Sequence, residues 1–280
     1  MVNGVMAGAV LAVPAIGFST IYAVLRFADF SVAGHMAVGA FAGYVANVVL
    51  GLPPVAAVAA AFAIAGLAGV ASHQAALRPL RGRSALTLAI ASIALNLMVE
   101  NVLRFGFGNS PRNYAIPLSR DWSLGPFRVG PQQVENAAIA LAAMAALFLF
   151  LSLTRTGKAM RAVADNPSLA DARGIDPNRV ARLAIGLGMG LAGIGGMLVG
   201  LDSSIDPLVG FRAILSVFAA AVVGGLGNIP GAALGGLVIG LAEELSLLAV
   251  PATYKSAIGF LAILAVLTLR PRGLLGTAQA

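Results

Sequence analysis

The chain has 280 residues, 59% hydrophobic and 10% charged, with mean hydropathy +0.92; soluble domains carry about 25% charged residues, so a water-soluble core is excluded. The net charge of +7 does not mark a nucleic-acid partner, because the bases sit in short loops between apolar runs. With no Cys there is no disulfide framework, thiolate nucleophile or Cys-based metal site, and the sequence gives no other sign of a metal.

Taken in order, residues 4–25 form a first span, long enough at about 1.5 Å per residue to cross roughly 30 Å of hydrocarbon. The N-terminus MVNGVMAGAV lacks the basic flank of a signal peptide, so this run is expected to stay as a span. Arg26 to Asp29 and the polar 31–34 stretch follow, at the interface or at a break, before a short second span over 36–50. Pro53-Pro54 opens a third, running to 77, and Arg78, Arg81 and Arg83 make a tight basic loop. Residues 85–107 form the fourth span. An external loop over 108–133 carries Pro111, Pro117, Pro126, Pro131 and Trp122. Further spans are expected over 134–153, 183–201, 213–224, 231–250 and 258–269, with a Gly-rich break at 224–230 and a basic tail at Arg270 and Arg272. Twelve of the eighteen Lys and Arg residues then fall on one side, the cytoplasmic one. Nine crossings result, or eight if 213–224 or 27–50 is re-entrant. The fold class is therefore an all-α polytopic integral membrane protein, one permease-like domain over 1–280.

One long polar island, 154–182, interrupts this pattern with six basic residues (Arg155, Lys158, Arg161, Arg173, Arg179, Arg182) against three acidic ones. Its helix punctuation is dense. Thr156 can cap a short helix that Asn166-Pro167 ends, Ser168 and Asp171 have capping-box spacing, Gly174 can close a helix, and Asp176-Pro177 starts another. Such a run is a folded cytoplasmic element built to be gripped, or else a basic loop held by anionic head groups of membrane lipid.

Four stretches resemble the permease subunit of branched-chain amino-acid ABC importers: GFSTIYAVLRFADFSVAGHMAVGAFAGY at 17–44, RTGKAMRAVADNPSLADARGIDPNRV in the island, AAVVGGLGNIPGAALGGLVIGLAEE at 220–244, and RPRGLLG at 270–276. They span nearly the whole chain in the family's order. The turn after the first span departs from it, with Asp29 and SVAGH where Asn followed by Ala-His-Gly is expected, which puts the cargo in doubt. The resemblance implies two cytoplasmic ABC ATPases carrying ATP and Mg, a second permease subunit (a paralogue or self), and a periplasmic substrate-binding protein. It also implies a home in the bacterial inner (plasma) membrane. The chain has no GxxxxGK[ST] phosphate loop, so it is not itself the enzyme and binds no cofactor of its own.

Within the island, the resemblance and the cap density assign ATPase coupling to Arg155, Gly157, Lys158, Met160, Arg161, Val163, Ala164, Asn166 and Pro167, with Met160, Val163 and Ala164 as an apolar ridge. Ionisable groups at membrane depth are functional suspects. Glu243 shares a small-residue face with Gly236 and Gly240, which suits either a hydrogen bond across a close helix contact or a path-lining acid. Asn96, Glu100 and Arg104 follow at i, i+4, i+8, giving a Glu100–Arg104 pair that is structural or receives cargo. Ser19, Tyr22 and Arg26 form another candidate path line. His35 and His73 read as packing or interface residues rather than ligands, and the repeated small-xxx-small spacings as helix packing or a dimer face.

The resulting expectation is a translocation path for branched-chain amino acids, driven by partner ATPases. The alternatives are the same machine carrying urea, short amides or other amino acids, or, more distantly, an ion-coupled secondary carrier. An intramembrane enzyme finds no support, since no HExxH or GxSxG motif occurs.

Overall fold

The computed structural model describes residues 2–115, 122–124, 127–248, 251, 255–270 and 273–276. Arg272 of the basic tail, Pro117 and Pro126 of the external loop and the end of the 231–250 span lie outside them. The helices are α1 Val2–Leu25, α2 Val32–Tyr44 (prolonged by a π turn, Val45–Val49), α3 Pro54–Ser72 (prolonged through Leu80), α4 Ala85–Phe107, α5 Pro131–Leu153, α6 Arg155–Asp165, α7 Pro167–Ala172, α8 Pro177–Asp202, α9 Val209–Gly224, α10 Ile229–Ser246 and α11 Lys255–Leu269. A two-stranded antiparallel hairpin, β1 Trp122–Leu124 with β2 Phe127–Val129, lies between α4 and α5.

Among the described residues, seven helices are long and apolar enough to cross a membrane, and two shorter apolar ones, Val209–Gly224 and Ala257–Leu269, accompany them. The 213–224 stretch lies within α9, a 16-residue apolar helix. It runs antiparallel to α10, with Gly224 against Gly231 at one end, Ala220 against Gly235 midway and Ser216 bonded to Glu243 beyond. The two helices are joined by a tight turn in which Gly225 (φ 107°) and Gly227 (φ 83°) adopt conformations open to glycine.

The second span begins earlier than its sequence suggests. Residues 31–34 belong to a buried helix start, and the break lies one step back, at 26–31, where the Asp29 carboxylate accepts hydrogen bonds from the Ser31 N–H (3.0 Å) and hydroxyl (2.6 Å). That side-chain turn gives the backbone a local partner where the helix ladder is missing.

α8 is the axis. Along their most apolar stretches α1 and α8 are 83% and 78% buried, whereas those of α3, α4 and α5 are 28% buried and face outward. Close approach is set by missing side chains. A methyl group on Gly17 would strike the Gly188 carbonyl, one on Gly39 would overlap the Gly193 backbone, and one on Gly66 would meet the Gly186 carbonyl. Gly8, Gly190, Gly196 and Gly235, read as packing or a dimer face, are likewise filled by neighbours within the chain.

Candidate functional site: the basic island and the interior polar groups

α5 ends at Leu153 and α6 begins two residues later, so the chain turns in almost no space. Thr154, rather than Thr156, is the cap: its extended backbone lets Oγ1 accept from the Gly157 N–H at 2.9 Å while the hydroxyl donates to the Phe150 carbonyl at 2.6 Å. At Gly157 a methyl would come within 2.5 Å of the Leu151 and Phe150 backbones, so the elbow closes only on glycine. Asn166 ends α6 and caps α7 through the Leu169 N–H at 3.0 Å, displacing the expected Ser168–Asp171 box. Gly174 closes the turn at φ 83°, and Asp176 caps α8 through the Asn178 and Arg179 N–H groups. α8 then runs without a break into the membrane.

The apolar ridge of α6 faces the bundle, not solvent. Met160 and Val163 are each 3% exposed and belong to the main hydrophobic core, with Ala164 half-buried beside them. Gly157, Met160 and Val163 recur every three residues, and α5 and α8 supply the apolar surface that stripe needs. The outer face is left with Arg155, Lys158, Arg161, Asn166 and Pro167, all exposed, joined by Leu169 at 57% exposure, which sequence reasoning passed over. A second contact was also missed. Arg26, in the left-handed region at φ 59°, closes α1 and donates from its guanidinium to the Ala164 carbonyl in the last turn of α6. The only hint in sequence was a base at the end of a span.

The interior candidates fall in three separate settings. Ser19 is fully buried, with no hydrogen-bond partner for Oγ among the described residues; Tyr22 packs by Gly227; Arg26 reaches solvent, so the three do not form one line. On α4, Asn96 and Glu100 are buried, with Asn96 beside Gly34 at the start of α2, and Glu100 takes the Arg104 guanidinium at 2.5 Å. Ser92, one turn earlier, accepts from the Phe30 N–H at 2.9 Å, so α4 turns a polar edge to the break before α2. Glu243, 7% exposed, accepts the Ser216 hydroxyl across the α9–α10 contact. His35 is fully buried and spans two elements, with Nδ1 at 2.8 Å from the Ser31 carbonyl and Nε2 at 3.1 Å from Ser72 Oγ. Among the described residues no group of three or more His, Cys, Asp or Glu could hold a metal ion.

A bundle of this kind, with a capped basic elbow at one end, has the parts of a transport subunit. Residues 1–267 match the family described as the permease component of branched-chain amino acid transport systems. The chain belongs to this family. Among its relatives is LivH of Escherichia coli (strain K12), a high-affinity branched-chain amino acid transport system permease protein, 30% identical over 295 aligned positions that cover 100% of this chain and 95% of LivH. BraD of Pseudomonas aeruginosa, a permease protein of the same description, is 30% identical with the same coverage. A probable LivH from Methanocaldococcus jannaschii is 29% identical over 94% of this chain and 87% of its own length. In structure the chain is similar to PsaBC from Streptococcus pneumoniae, solved in complex with Fab, at TM-score 0.50 and 13% identity over 96% of this chain and 91% of that one, a likeness of fold alone. The family is one of transport permeases, not of enzymes.

Proposed function

We propose that this chain forms the membrane path of an ATP-driven importer for branched-chain amino acids in the bacterial inner membrane. Full-length similarity to permease proteins of that cargo carries the reading. Two cytoplasmic ABC ATPases supply the energy, a second permease subunit completes the path, and a periplasmic binding protein selects the cargo. The island is the part the ATPase moves: Arg155, Lys158, Arg161, Asn166, Pro167 and the Ala164 turn present the face it grips. Gly157, Met160 and Val163 mount that face on α5 and α8. A push on α6 then reaches α8 as a rigid-body motion, because both ends of the island are capped and its apolar side is packed.

Asn96 and Glu100 are the path residues best placed, since both are buried on α4 near the break before α2, while another face of the helix (Met98, Val102, Phe105) is exposed and open to the second subunit. Ser19 and Tyr22 on α1 are further candidates for the path, and Glu243 serves the α9–α10 contact. Co-expression with candidate ABC ATPases and a periplasmic binding protein, followed by reconstitution, tests the reading. ATP-dependent leucine uptake that valine and isoleucine compete and urea does not is expected. Uptake that urea or short amides compete would move the cargo, and purification with no ATP-hydrolysing partner would overturn the mechanism.

A further inference from the structure

A cavity of about 380 Å³ opens at the basic end between the close of α1, the 78–83 loop, the island and the start of α8. Arg26, Arg81 and Arg83 line it, no Asp or Glu does, and Arg78 and Arg182 add their charge to Arg81. The arginines are not used up within the chain. Arg81 spends one Nη1 hydrogen on Asn178 Oδ1 at 3.0 Å, and its buried Nε–H has no partner among the described residues; Arg26 spends one on the Ala164 carbonyl. Each guanidinium carries five N–H donors in a planar fork that matches a phosphate. The cavity floor is apolar, from Leu25, Leu88, Val163 and Ala181. On α4, one residue past the cavity-lining Ala85, begins a stripe of exposed apolar side chains, Leu86, Ile90, Ile93 and Leu97 (70%, 58%, 45% and 47% exposed).

We infer that this cavity is a binding site for the head-group phosphate of an anionic phospholipid, held by Arg81, Arg83 and Arg26, with the acyl chains lying along the α4 stripe. Free phosphate shares the charge but not the chains, and the apolar floor leading into an exposed apolar stripe selects the lipid. Basic pockets between spans on the cytoplasmic side attract such head groups. Because the site joins the end of α1, the α3–α4 loop and the island, a seated lipid braces the three against one another.

The full-length chain in detergent is titrated with phosphatidylglycerol and with phosphatidylcholine of the same acyl chains, and bound lipid is counted by native mass spectrometry. Phosphatidylglycerol should be retained about tenfold better, and Arg81→Gln with Arg83→Gln should erase that preference. Arg155→Gln with Lys158→Gln, elsewhere on the island, should keep it. Arg83→Gln alone, at an exposed position, should weaken retention a few-fold while helix content stays unchanged by circular dichroism, which covers misfolding of the double variant. Equal retention of the two lipids, or a double variant that retains the preference, overturns the site. Displacement of phosphatidylglycerol by millimolar inorganic phosphate overturns the lipid as its occupant.

Discussion

The Arg26 guanidinium donates to the Ala164 carbonyl across 138 positions of sequence, tying the end of the first span to the last turn of α6. The geometry serves both partners. Arg26 closes α1 with a left-handed backbone that non-glycine residues adopt at some cost, and its cation sits where the α6 carbonyls are unpaired and the helix dipole is negative. Whatever moves α6 therefore pulls on α1 as well as on α8.

Arg26→Gly tests this tie without disturbing the backbone, since glycine takes φ 59° freely. The variant should fold and assemble, with uptake per ATP hydrolysed falling several-fold while hydrolysis continues. Arg26→Lys should restore part of the coupling. A glycine variant with normal uptake per ATP would show the contact to be incidental.

Gly157→Arg should be far more damaging. Even a methyl there would lie within 2.5 Å of the Leu151 and Phe150 backbones, so α5 and α6 must separate, at a cost on the order of 1–3 kcal/mol or more. Loss of ATPase co-purification and a lower melting temperature are the expected readouts. Ala164→Arg, on the half-buried edge of α6, should leave assembly intact and uncouple hydrolysis from uptake. Normal transport by the Gly157 variant in an intact complex would remove the elbow from the mechanism.

At Glu243 the partner is another side chain, so substitution pairs separate packing from chemistry. Glu243→Ala leaves the Ser216 hydroxyl buried without its acceptor, a loss of about 1–3 kcal/mol, whereas Glu243→Gln keeps an acceptor and should be mild. Pairing Glu243→Leu with Ser216→Ala should recover much of the stability. Should Glu243→Gln stop transport in a folded complex, the carboxylate would belong to the path.

Two glycines should behave oppositely. Gly39→Val drives a side chain into the Gly193 backbone and should prevent α2 from docking on α8, visible as loss of the folded protein from the membrane. Gly106→Ala, in α4 with open space around it, should be neutral or stabilising by about 0.5–1 kcal/mol. A melting series with Gly39→Val above Gly106→Ala would invalidate the packing argument.

Local chemistry made much of this chain legible before any fold was known. Apolar length located the spans, Asp176-Pro177 and Gly174 marked real helix ends, and the Glu100–Arg104 pair followed from i, i+4 spacing, since each depends on residues within a turn or two of one another. Where two local signals competed, as at Thr154 and Thr156 or Asn166 and Ser168, the cap fell to the residue whose backbone left the helix.

The facing of the helices was decided only by tertiary structure. α1, and α8 over residues 183–201, are apolar on every side, so no periodic stripe in sequence separates a face that meets lipid from one that meets another helix. The α6 stripe was visible, but whether Met160 and Val163 would meet a partner or the bundle depended on where α5 and α8 lie, far along the chain. The same holds for Arg26 with Ala164, Ser216 with Glu243, and His35 between Ser31 and Ser72. Sequence alone determined that this chain crosses the membrane many times around one basic island, because burial length and capping are local. Which polar groups meet inside it rests on contacts between distant segments, and only the packed bundle brings those together.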